Sequence, residues 1–104
     1  METKKVFAPL GLIDYQQASV VSREIVKKDE GRVSVFAFDK GEGLSEHIAP
    51  FDALVYTLEG KADVKVDGDS FTLRSGEALI IPANRSHSLK AIAKFKMLLV
   101  MIKA

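Results

Sequence analysis

The sequence predicts an all-β domain, an antiparallel sandwich or barrel of short strands. Three observations carry this expectation. Short runs alternate apolar and polar residues with a period of two; Gly31, Gly41, Gly43, Gly60, Gly68 and Gly76 punctuate them; and no stretch keeps a helical apolar stripe. Many short strands at regular spacing between turn signals are the pattern of sandwiches and barrels.

Taken in chain order, residues 1–18 form an N-terminal arm, and the best helical candidate, Leu12 to Val21, is interrupted by Gln16 and Gln17 and has no clean apolar face. Strands are expected at Ser19–Val26 and Arg32–Phe38, joined by the turn Asp29-Glu30-Gly31. In the second of these, Val33, Val35 and Ala37 share one face while Phe36 and Phe38 share the other. Ala53–Leu58 follows, then a tight connection at Glu59-Gly60. Lys61–Asp67 (KADVKVD) places Ala62, Val64 and Val66 on one face and Lys61, Asp63 and Lys65 on the other, as a half-buried strand requires. Asp67-Gly68 then leads into Ser70–Leu73; an Asp-Gly step between alternating runs supplies the positive φ of a tight hairpin turn. Ala78–Ile81, Ser88–Ile92 and Phe95–Ile102 complete the set.

Met97–Ile102 and Arg32–Phe38 are apolar on both faces, so each needs a second covering layer. A second sheet of the same chain, the arm (Phe7, Leu10, Leu12, Ile13) folded over them, or a second copy could supply it; the expected cover is the partner of a homodimer.

The 104 residues make one domain, 1–104. Fifteen basic and 14 acidic side chains leave a net charge of +1, which offers no footprint for nucleic acid and no polybasic patch for a membrane. No cysteine is present, which excludes disulfides, thiolate nucleophiles and zinc–cysteine sites. The longest apolar run, Met97–Ile102, falls far short of the ~20 residues of a bilayer span. Without an apolar run of signal-peptide length near the lysines of the N-terminus, the expected location is cytoplasmic.

Only two histidines occur, His47 and His87, both beside turn residues. Their surroundings carry a spacing pattern. Gly41 is followed after five residues by His47, after one by Ala49, after three by Ala53 and after six by Gly60. Gly76 is followed after five residues by Pro82, after one by Asn84, after two by His87 and after three by Ala91. These segments resemble the two signature motifs of the cupins, G-x5-H-x-H-x3-4-E-x6-G and G-x5-P-x-G-x2-H-x3-N. The resemblance covers roughly two-thirds of the chain. It implies a double-stranded antiparallel β-helix, a jelly-roll barrel that is usually dimeric, with a pocket inside. Asn84 stands where the family often has glycine, and asparagine tolerates the positive φ this turn needs.

The resemblance also implies a divalent metal (zinc, iron, manganese or nickel) on His47 and His87. Here the sequence departs from the family, because Ala49 and Ala53 replace the second histidine and the glutamate of the ligand set. Asp52 or Glu46 could complete the set, Asp52 only through a register shift at Pro50 that turns it inward. The alternation expected along the barrel puts Ala53, Val55 and Thr57 inside, with Met97, Leu99 and Met101 opposite, and Tyr56 outside. Three readings stay open: a metal site on the two histidines, a metal-free isomerase- or epimerase-type enzyme using them as acid and base, and a small-molecule binding module. Arg85 and Lys90 flank His87 as candidates for an anion at the rim.

Overall fold

The computed structural model describes all 104 residues. After a short 3-10 turn at Pro9–Gly11, nine strands follow: β1 Val20–Lys28, β2 Gly31–Phe38, β3 Gly43–His47, β4 Phe51–Glu59, β5 Lys61–Val66, β6 Asp69–Arg74, β7 Ala78–Ile81, β8 His87–Ala91 and β9 Phe95–Lys103. They form two antiparallel sheets, one ordered β1-β2-β9-β4-β7 and the other β3-β8-β5-β6. Eight strands lie where alternation placed them. The Leu12–Val21 segment is not helical, as its broken apolar face foretold.

The expected turns form for the expected reason. Asp67 and Gly68 both have positive φ (51° and 84°), the backbone twist that a two-residue hairpin between right-twisted strands demands. Asn84 takes φ 63° in the connection between β7 and β8.

Side chains alternate cleanly along the sheets. From β4, Ala53, Val55 and Thr57 are buried between the sheets, joined by Phe38, Phe95 and Met97 from the neighbouring strands and by Ala62, Val64, Leu73 and Leu89 from the facing sheet. Thr57 is the exception in chemistry: its hydroxyl is buried and has no hydrogen-bond partner. Thr57→Val, which keeps the shape and removes the orphaned hydroxyl, is expected to stabilise the fold by about 1 kcal/mol, read as a higher midpoint of chemical unfolding.

A second, smaller cluster lies on the outer face of the five-stranded sheet. Ile13 packs on Val35 and Ala37, with Leu12, Tyr15, Ile25 and Leu98 around them. The arm therefore covers Val35 and Ala37 on the β2 face for which a partner subunit was the expected cover. Polar contacts pin it there. Lys96, 7% exposed, donates from Nζ to the carbonyl of Leu10 (2.9 Å) and lies over the Tyr15 ring. The Tyr15 hydroxyl donates to Glu59 (2.6 Å), and burial, that bond and the Glu59 charge hold the phenol well above the ordinary tyrosine range. The Asp39 carboxylate accepts the N–H groups of Ala18 and Lys40, which lowers its pKa. No helix is long and apolar enough to cross a membrane.

Candidate functional site

The site forms where strands of both sheets end. β3 ends and β8 begins with a histidine, and the two are register partners. This pairing brings side chains 40 positions apart in sequence to a ring-centroid separation of 4.2 Å, at 61° to each other. The connection to β4 and the connection into β8 are tied together, since Asn84 N–H donates to the Ala49 carbonyl (2.9 Å).

Each imidazole is fixed by its own strand terminus. Nδ1 of His47 lies 2.7 Å from the Ser45 carbonyl, and Nδ1 of His87 lies 2.9 Å from the Arg85 carbonyl. A carbonyl oxygen only accepts, so both Nδ1 atoms carry the proton and donate it. In the neutral ring each Nε2 is then left with a lone pair, and the tautomer is dictated by the backbone.

Behind the two rings is an apolar cavity of about 60 Å³. Ala53, Val55 and Ile81 line it from one side and Met97, Leu99 and Met101 from another, with Leu44, Ala49 and Phe51 toward the mouth. Nearly all of its wall is hydrocarbon, and the imidazoles are its convergent polar groups. The inward sets expected for β4 and β9 thus supply the wall, except Thr57, which is buried deeper in the core.

The structure brings His47 and His87 together and leaves the carboxylates apart. Asp52 faces the other side of β4, where its Oδ1 accepts the Ala83 N–H (2.9 Å); no register shift occurs at Pro50. Glu46 is exposed on β3. No third histidine, cysteine, aspartate or glutamate joins the pair. The methyl groups of Ala49 and Ala53 line the cavity where the family's remaining ligands would stand. Carbonyl-held Nδ1 atoms orient imidazoles as metal ligands are oriented. Two nitrogens nevertheless fall short of the three protein ligands that a catalytic metal centre keeps, so these residues do not fit a resident metal of that kind. Of the candidate rim cations, Arg85 is engaged with Asp67 (2.8 Å), and Lys90 is exposed beyond Leu89, away from the mouth. Sequence reasoning passed over Arg32, on the inner face of β2, whose guanidinium lies over the Phe51 ring (5.9 Å).

Residues 34–103 match the family described as Cupin domain. In structure, the whole chain superposes on 91% of a conserved protein of unknown function from Streptococcus pyogenes, with a TM-score of 0.94 and 32% identity. It likewise superposes on 95% of a cupin superfamily protein from Desulfitobacterium hafniense, with a TM-score of 0.93 and 26% identity. Among curated sequences, a protein named polyketide synthase CurC from Streptomyces cyaneus is 38% identical over 53 residues, which are 50% of this chain and 34% of that protein. The chain thus spans about a third of that relative's length.

Proposed function

The chain belongs to the cupin family, and on that premise we propose that it binds a small, largely apolar organic molecule, anchored at the mouth by Nε2 of His47 and of His87. The observation that carries this reading is the pair of Nδ1–carbonyl bonds, which leave two fixed lone pairs beside a hydrocarbon cavity. A pocket of this kind, apolar with few convergent polar groups, is the usual setting for ligand binding. Each free Nε2 is also a base, so a ligand with an acidic C–H at the mouth would meet a proton acceptor, as isomerase- or epimerase-type chemistry needs.

The test is a thermal-shift screen of small acids, amides and hydroxylated compounds, followed by titration of the hits. His47→Ala and His87→Ala are each expected to weaken binding about tenfold, because each removes one anchoring acceptor at the mouth of the cavity. Hits bound equally by the wild type and both variants would overturn the reading.

A second reading rests on the same carbonyl-held rings. Zinc, iron, manganese or nickel would be held by the two Nε2 atoms only in company with a chelating ligand or water. It predicts that adding zinc or nickel salts to chelator-treated, untagged protein raises Tm in the wild type and not in His47→Ala. An unchanged Tm in the wild type removes this reading.

We propose further that the protein is a homodimer through the outer face that the arm leaves open. Val26, Val33, Val100, Leu54 and Ile80 are successive register partners, so they form one apolar row across all five strands. Ile80 (68% exposed) and Ile102 (58%) stand on this face, which continues the cluster under the arm. A row without charges suits a second copy of itself across a two-fold axis. Ile80→Lys is expected to yield a folded monomer by sedimentation at micromolar concentration, where the wild type is dimeric. A monomeric wild type would refute the proposal.

A further inference from the structure

We infer that Arg32 recognises an anion beside the pocket, and that the ligand is a small hydroxy-monocarboxylate whose hydroxyl donates to Nε2 of a histidine and whose apolar body enters the cavity. This inference rests on the binding reading above and narrows it to one chemical class. Parity places the residue. Along β2, Phe36 and Phe38 face the core, so Ser34 and Arg32 share their side. Arg32 is the register partner of Met101, Met101 of Ala53, and Ala53 of Ile81. The last three all line the cavity, so Arg32 continues their row one strand beyond the wall, with Lys27 of β1 as its partner on the far side.

Its guanidinium carbon lies 5.9 Å from the ring centroid of Phe51, itself a wall residue, and the side chain is half-buried. The chain's two ion pairs are Lys5–Glu2 and Arg85–Asp67, so Arg32 has no carboxylate partner. Asp29 and Glu30, which directly precede β2, form no ion pair with Arg32. Asp67 holds Arg85, Asp52 accepts Ala83 N–H from the outer side, and Glu46 is exposed to solvent on β3. A partly desolvated cation with no counter-charge, beside an uncharged hydrocarbon cavity, favours a ligand that supplies the missing charge. The planar fork of arginine matches a carboxylate with two parallel hydrogen bonds, and the Phe51 ring beside it limits where the head group can move. The small enclosed volume limits the apolar part to a short branched chain or a single ring entering partway.

The experiment compares charged and neutral partners of one shape. 2-Hydroxyisobutyrate with 2-hydroxyisobutyramide, and mandelate with mandelamide, are titrated into wild-type protein, Arg32→Gln and Arg85→Gln, with binding followed by NMR shifts and folding checked by Tm. The wild type is expected to prefer at least one acid over its amide by about tenfold or more. Arg32→Gln should lose that preference while keeping its Tm, and Arg85→Gln should retain it. Arg32→Lys, which keeps the charge and loses the fork, should keep part of it and guards against a variant that fails to fold. Equal affinity for acid and amide in the wild type, or a preference that survives Arg32→Gln, overturns the role of Arg32 and leaves the histidine-anchored pocket standing. If neither acids nor amides bind up to about 10 mM, this inference falls, and the pocket reading falls with it when the wider screen also gives no hit.

Discussion

Gly60→Asn is expected to destabilise the protein by about 3 kcal/mol or more, combining backbone strain with overpacking. Gly60 sits between β4 and β5 with φ 92°, and a Cβ there would collide with the carbonyl oxygen of Lys94 and press on Cα of Phe95. Those atoms belong to the start of β9, which pairs with both β2 and β4 at the centre of the larger sheet. Rigid backbone, not a flexible side chain, is what must move. Gly68→Asn is the matched control: φ is 84°, yet nothing lies within 4 Å of the added Cβ. Asparagine is tolerated at positive φ, so this variant should cost less than about 1 kcal/mol. Urea unfolding of the two side by side separates the clash from the dihedral angle. Equal losses would mean that the close approach at Lys94 contributes nothing.

The second large effect is expected at Phe38. The ring is fully buried, stacked against Phe36 (centroids 5.9 Å apart) and tilted against Phe95 (5.7 Å). Phe38→Ala should cost about 3–5 kcal/mol, the loss of transfer free energy plus the void left behind. Against the 5–15 kcal/mol that holds a domain of this size together, that is a major share. Tm should fall by roughly 12 °C or more, at 4–8 °C for each kcal/mol. The void would be lined by hydrocarbon, so benzene should bind the variant and raise its Tm by more than it raises the wild type's. A Phe38→Ala protein as stable as the wild type would show that the core can collapse around the lost ring.

Much of this architecture is written locally. The alternation in KADVKVD and its neighbours fixes which side chains face inward, and Asp67-Gly68 fixes the hairpin between β5 and β6. β3 was not legible as a strand because GLSEH contains a single large apolar side chain, Leu44, and its pairing with β8 is irregular between Leu44 and His47. An edge strand exposed along most of its length needs no two-residue pattern. That the two histidines meet was an expectation from spacing against a family motif, which periodicity alone would not supply. The fixed tautomers were invisible beforehand, since they depend on carbonyls two residues back turning toward the rings. Arg32 was within reach: counting by twos from Phe36 and Phe38 puts it on the inner face. A charged residue opening a strand reads as solvent-facing until the end of the barrel is known to be a mouth. The arm was legible as one candidate cover, but what pins it was hidden, because Lys96 becomes buried only once Leu10 and Tyr15 cross over it.

β9 serves two masters. Its odd-numbered side chains, Met97, Leu99 and Met101, are cavity wall, while even-numbered Lys96 and Leu98 grip the arm on the reverse side. A one-residue insertion or deletion within it would swap the two sets, facing an ammonium group into hydrocarbon and thioethers onto the strap. Length variation in this strand is therefore closed to the protein, and new specificities have to arise by exchanging side chains in place.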